Sequence, residues 1–167
     1  MRLDLSKKCT PHPGHALVVK NPSCMVLQLA LPGMALISSV MKIISVRQPW
    51  ASLIVLGFKD VENRSWSTRY RGPVLIHASK RGDEVSKADI ERRYGVRLEG
   101  DLRLGGIVGL TEIVDCVRPH PSPWYVPGCY GLVLAGSRPI PFMEWKGSLG
   151  LRDAPKKLTE LLAFYSS

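Results

Sequence analysis

The sequence predicts an α+β domain, a small mixed β-barrel with two or three helices packed against it. Two observations lead there. Short β-branched runs bounded by Gly and Pro recur along the chain, with helical patterns inserted between them. The 167 residues, 45% of them hydrophobic, also supply apolar surface for one core and little more.

Residues 1–40 differ in character from the rest of the chain. "CTPHPGH" and "KNPSC" are turn formers without a periodic apolar face, which predicts irregular or disordered chain. Met25 to Val40 is apolar, but Pro32 and Gly33 interrupt it and it is too short to span a membrane. Lys7, Lys8 and Lys20 lie far from that run and no small-x-small cleavage site comes after it, so a signal peptide is the weaker reading. The expected organisation is an N-terminal extension over 1–40 and one domain over 41–167.

From Met41 onward the pattern is orderly. "MKIISV" is a β-branched run that predicts a strand. "RQPWASLIVLGF" comes next as a short helix, with Pro49 at its opening and Gly57 where it stops. "KDVENRSW" and "GPVLIHAS" read as strands on either side of the basic turn "STRYRG". "DEVSKADIERRYG" carries acids early and arginines late, in accord with the helix dipole, and ends at Gly95. "GGIVGLTEIVDCV", "YGLVLAG" and "RPIPFMEW" predict three further strands, and "APKKLTELLAFY" an amphipathic closing helix. Pro119, Pro121, Pro123 and Pro127 around Trp124 and Tyr125 predict a long proline-rich connection, with a lid or rim as the sharper alternative.

Charge narrows the class of partner. Lys and Arg number 23 against 14 acids, and the net charge of +9 favours a polyanion, nucleic acid first. The four cysteines, Cys9, Cys24, Cys116 and Cys129, include no CxxC pair, which predicts a reducing, cytoplasmic setting with no disulfide partner. Cys9, His12, His15 and Cys24 have the atoms for a tetrahedral zinc ion, but their spacing is not that of a finger. The expectation is no metal, no other cofactor and no membrane.

The stretch "GFKDVENRSW" concentrates the chemistry. In an extended strand Glu62, Arg64 and Trp66 share one side and Val61, Asn63 and Ser65 the other, with Lys59 in the preceding turn. A carboxylate flanked by a lysine and an arginine stays ionised and aims the guanidinium fork, which suits base edges or phosphate. A solvated charged strand, or an ion pair closing a barrel end, explains the same residues equally well.

Three segments resemble the ASCH (activating signal cointegrator 1 homology) domain family, whose barrel is PUA-like. "ISVRQPWASLIVLGFKDVENRSW" holds the family's GxKxxExR pattern as Gly57, Lys59, Glu62 and Arg64; "YRGPVLIHASK" and "PIPFMEWKGSLGLRDAP" come after it in the family's order. The resemblance implies a charged cleft between barrel and first helix that takes an RNA segment or a modified nucleoside. Lys59, Glu62 and Arg64 would line it, with Arg47, Gln48, Pro49, Trp50, Trp66 and His77 as walls and Arg69 and Arg71 as phosphate contacts. Within their apolar runs, Trp50 reads more simply as core, and His77 equally well as a hydrogen-bonded core histidine.

Members that look like amidohydrolases acting on N4-acetylcytidine carry a threonine nucleophile where this chain has Glu62, which counts against that chemistry. Other members resemble ribonucleases, for which His77, Glu62 and Lys59 would be the catalytic groups. Three readings result: an RNA- or nucleotide-binding module first, a metal-independent RNA-directed hydrolase second, and a protein-interaction module in transcriptional or translational control third.

Overall fold

A computed structural model describes residues 40–164. The expectations for the extension and for Cys9, His12, His15 and Cys24 lie outside the described residues. Six strands and three helices succeed one another in the order β1 (Lys42–Val46), α1 (Trp50–Val55), β2 (Val61–Arg64), β3 (Gly72–Ala78), α2 (Lys87–Tyr94), β4 (Gly106–Val117), β5 (Tyr130–Glu144), β6 (Leu151–Asp153) and α3 (Lys156–Phe164). The strands form one sheet in the order β2-β5-β4-β3-β1-β6. β1 runs parallel to β3, because α1 and β2 intervene as a crossover, and the other pairings are antiparallel.

The sheet curls into a half-barrel because β4 and β5 are long and irregular. Their register shifts at three places, and each extra residue bends and twists the pair. The runs "YGLVLAG" and "RPIPFMEW", expected as two strands, are one 15-residue strand kinked at Gly136, whose φ of +60° suits glycine. Pro139 and Pro141 are tolerated there because β2 pairs only with Tyr130–Val133, leaving the distal half of β5 on a free edge.

α1 plugs the barrel. Its Ala51, Ile54 and Val55 join Ile44, Val46, Val74, Ile76, Ile113 and Leu132 in the interior core. The helix approaches the sheet so closely at Gly109 that an added Cβ would lie 2.3 Å from Val55 Cγ1 and 2.6 Å from the Arg138 carbonyl. Leu158 of α3 covers the opposite face of β1 and β3 with Ile43, Leu75, Ile107 and Ala154.

A third cluster places Leu53 of α1 and Val61 of β2 against Ile90 of α2, Leu98 and Trp124. α2 begins at a capping box formed by Ser86 and Asp89 and ends at Gly95 with φ +66°, the stop that the sequence pattern predicts. The proline-rich segment is a connection pinned from its middle. Trp124 stacks on Tyr94 with centroids 4.0 Å apart, and Asn63 donates to the Trp124 carbonyl at 2.7 Å and accepts from the Val126 N–H at 2.8 Å.

Among the described cysteines Cys116 is free, and the expectation of no disulfide also falls on Cys9 and Cys24, which lie outside the described residues. No helix of the described residues is long and apolar enough to cross a membrane.

Gly109→Ala is expected to lower the denaturant midpoint by an amount equivalent to about 1–3 kcal/mol, the usual cost of overpacking. Gly82→Ala is the control, since nothing stands nearer than 3.7 Å to its added Cβ.

Candidate functional site

Lys59, Glu62 and Arg64 come together, as the spacing predicts, but they do so inside the barrel wall. The turn after α1 brings the Phe58 and Lys59 N–H groups onto the Leu53 carbonyl, each at 3.0 Å, and folds Lys59 inward. Its side chain is 4% exposed, and its ammonium donates to the Val61 carbonyl and, at 2.7 Å, to Glu62 Oε2. The other carboxylate oxygen, Oε1, lies 3.2 Å from Arg64 Nη2. Glu62 projects toward Ile44, Val74, Ile76, Thr111, Ile113, Leu132 and Leu134, around a narrow space with no room for water.

The expected clamp open to solvent is therefore a ligature of the core. Burial pushes the Glu62 carboxyl up, but the Lys59 ammonium, the Arg64 guanidinium and hydrogen bonds from Lys59 and the Asn63 backbone outweigh it, so its pKa falls below the ordinary value. Arg64 Nη2 also donates to the Ser45 carbonyl at 2.8 Å. That bond reaches from β2, one edge of the sheet, to β1 just past the end of β6, the other edge. Arg64 thus laces the two edges that no backbone ladder joins. Its Nε is buried without a partner among the described residues.

The neighbouring residues divide between structure and surface. Gln48 is 3% exposed; its amide donates to the Arg103 carbonyl and its Oε1 accepts the Ser52 N–H, both at 3.0 Å, so it caps α1. Trp50 packs between two core clusters while its indole N–H donates to Asp83 Oδ2 at 3.1 Å. His77 is 1% exposed, with Nδ1 3.1 Å from Ser45 Oγ and Nε2 2.9 Å from the Trp145 carbonyl. A carbonyl only accepts, so Nε2 carries the proton and Nδ1 accepts from Ser45, whose Oγ in turn accepts the Ser148 N–H at 3.2 Å. Both ring nitrogens are thus committed to holding the segment 145–148 on the barrel. Arg47 and Arg69 are exposed, while Arg71 is paired with Asp115 at 2.7 Å.

The open space lies beside this latch. Where β2 and β6 fail to meet, a groove of about 400 Å³ is lined by Lys42, Trp66, Ser67, Thr68, Tyr70, Gly150 and Leu151. Trp66 is the expected wall residue that reaches it, with the Arg64 guanidinium 6.0 Å from its ring centroid. Sequence reasoning missed Lys42, Ser67, Thr68 and Leu151, since the β1–β6 pairing that gathers them links residues about a hundred positions apart. The turn "STRYRG" carried the one available signal, an aromatic among hydroxyls and arginines. Tyr70 donates to the Pro73 carbonyl at 2.7 Å, and burial pushes its phenol up, so it stays neutral. Lys42 is paired with Asp153 and lies 5.5 Å from the Tyr70 ring centroid.

With the sheet, the helix plug and the Lys–Glu–Arg ligature described, the chain can be set beside known proteins. The ASCH domain model matches residues 44–125, so that stretch is similar to the ASCH domain family. The chain is 38% identical over 81 residues to activating signal cointegrator 1 of Homo sapiens and 36% identical over 81 residues to that of Mus musculus. Each match covers 44% of this chain and spans 14% of the relative's length. The fold is similar to the crystal structure of ASCH from Zymomonas mobilis, at 14% identity and a TM-score of 0.51 over 75% of this chain and 95% of that one. A tyrosine-to-phenylalanine mutant of the same bacterial protein matches at 15% identity and 0.51 over 75% and 97%.

Glu62→Gln is expected to destabilise the protein by about 3–5 kcal/mol at neutral pH, because it leaves the Lys59 charge buried without its counter-ion. The Glu62 pKa is lower in the folded state, so its contribution is full above the ordinary value of 4.5 and is lost as pH falls through the folded value. Denaturant midpoints of wild type and variant, far apart at pH 7, are expected to converge below pH 4.5.

Proposed function

We propose that this domain is an RNA- or nucleotide-binding module of RNA metabolism, and that its ligand enters the seam groove. The observation that carries the reading is the groove's composition. It combines the Trp66 side chain with hydroxyls from Ser67 and Thr68 and the backbone at Gly150, a stacking surface beside hydrogen-bonding groups for a base edge. The basic balance of the chain supports a polyanionic ligand. Arg64 contributes by holding the groove open at a fixed width, and Lys59 and Glu62 by holding Arg64.

The hydrolase alternative gains no support from the placement of its groups. His77 has both nitrogens committed, and Lys59 and Glu62 are occupied with each other, so none offers a base at the groove. Cytoplasmic residence goes with the binding reading.

Fluorescence anisotropy with labelled single-stranded RNA at low salt tests the proposal. Trp66→Ala is expected to weaken binding by about 1–3 kcal/mol, the worth of one stacked base, and Trp66→Phe to recover most of it. Equal affinity of wild type and Trp66→Ala, with the fold intact, would remove the groove from the account.

A further inference from the structure

We infer that the phosphate chain of the ligand is held on a second surface, a basic patch at the end of the barrel where β1, β3 and β5 finish and β4 begins. The inference rests on the RNA-binding reading and goes beyond the groove. The topology forces the gathering. β1 and β3 are parallel, β4 is antiparallel to β3, and β5 is antiparallel to β4, so these four strand ends share one rim.

Each end carries an exposed cation. Arg47 lies just after β1, Lys80 and Arg81 after β3, Arg103 before β4 and Lys146 after β5. Backbone hydrogen bonds tie the four segments together. Ser79 N–H donates to the Val46 carbonyl at 2.9 Å, Asp83 N–H to the Gln48 carbonyl at 2.7 Å, Gly105 N–H to the Ala78 carbonyl at 2.8 Å and Trp145 N–H to the Gly105 carbonyl at 3.1 Å. Gln48 adds its bond to the Arg103 carbonyl, and the Lys80 stem lies against Gly105.

The acids on these segments, Asp83, Glu84, Asp101 and Glu144, are four against five cations, and Asp83 is already held by the Trp50 indole. The rim is therefore a rigid frame with a surplus of positive charge, which suits a string of phosphates.

The groove cannot supply that charge itself. Its cation Lys42 is paired with Asp153, and the adjacent Arg64 with Glu62. The groove is left to read the base, while the rim, reached along β1 from Lys42 to Arg47, takes the backbone. This division separates two quantities that a single charged cleft would merge: affinity set by stacking and salt dependence set by counterion release.

The experiment measures affinity of the full chain for a labelled single-stranded RNA of about 12 nucleotides between about 50 and 200 mM salt. The rim variant is Arg47→Gln/Arg81→Gln/Lys146→Gln. The control is Arg138→Gln/Lys156→Gln/Lys157→Gln, which removes the same net charge from β5 and α3. The rim variant is expected to reduce the magnitude of the log–log salt slope by about 2, roughly 0.7 per lost phosphate contact. Trp66→Ala is expected to lower affinity at every salt with the slope kept, and the control variant to leave the slope unchanged. RNA binding that persists with an unaltered slope in the rim variant overturns the inference alone, as does an equal fall in rim and control variants. Absence of RNA retention by wild type at low salt defeats the binding reading beneath it.

Discussion

The carboxylate of Glu62, with a different cation on each oxygen, is the constraint on which the barrel depends. Two of its partners come from the same short stretch, yet the second of them, Arg64, reaches across the molecule to a carbonyl of β1. A sheet of six strands that does not close by backbone pairing exposes two edges, and an exposed edge is an open template for other chains. Here one guanidinium spans the gap. The desolvation that a buried charge costs is offset because every charge in the group has a close partner and the carboxylate also receives a backbone hydrogen bond. The ligature therefore specifies where the barrel stops curling, a task that an apolar contact of the same size would perform less directionally.

That incomplete closure produces the groove. If β2 paired with β6, Trp66 and Tyr70 would face a ladder rather than open space, and the segment 66–70 would have no reason to stand away from Gly150 and Leu151. The ions of the Lys59, Glu62 and Arg64 trio are thus spent on architecture, and the neutral and aromatic neighbours they position line the open groove. Arg64, half-buried for structure, lies two positions from Trp66, which reaches the groove from the same side of the chain.

A similar division holds at His77. A histidine beside a conspicuous carboxylate motif invites a catalytic role, but its ring joins Ser45 to the Trp145 carbonyl and fixes the segment that carries Lys146. Gly147 packs so tightly on that ring that an added Cβ would lie 2.5 Å from it. The histidine is part of the frame that holds the rim of the barrel together.

Much of the fold was legible in the residues alone, and the limits are physical. Local signals settled the local elements: the early acids and late arginines of α2 with its stop at Gly95, the Pro49 and Gly57 bounds of α1, and the two-residue alternation that puts Glu62 and Arg64 on one side of β2. Residue types and spacing also brought Lys59, Glu62 and Arg64 together, because a turn and a four-residue strand leave them nowhere else to go. Alternation cannot say whether a side faces a cleft or a core, since that depends on what the rest of the chain places opposite. Ile44, Val74 and Ile113 seal Glu62 in, and they come from three strands remote in sequence. The sequence by itself determined most of the elements, the family resemblance and the ionic trio; the tertiary structure alone decided that the trio is a latch and the opening lies beside it, because burial and strand adjacency are properties of long-range packing.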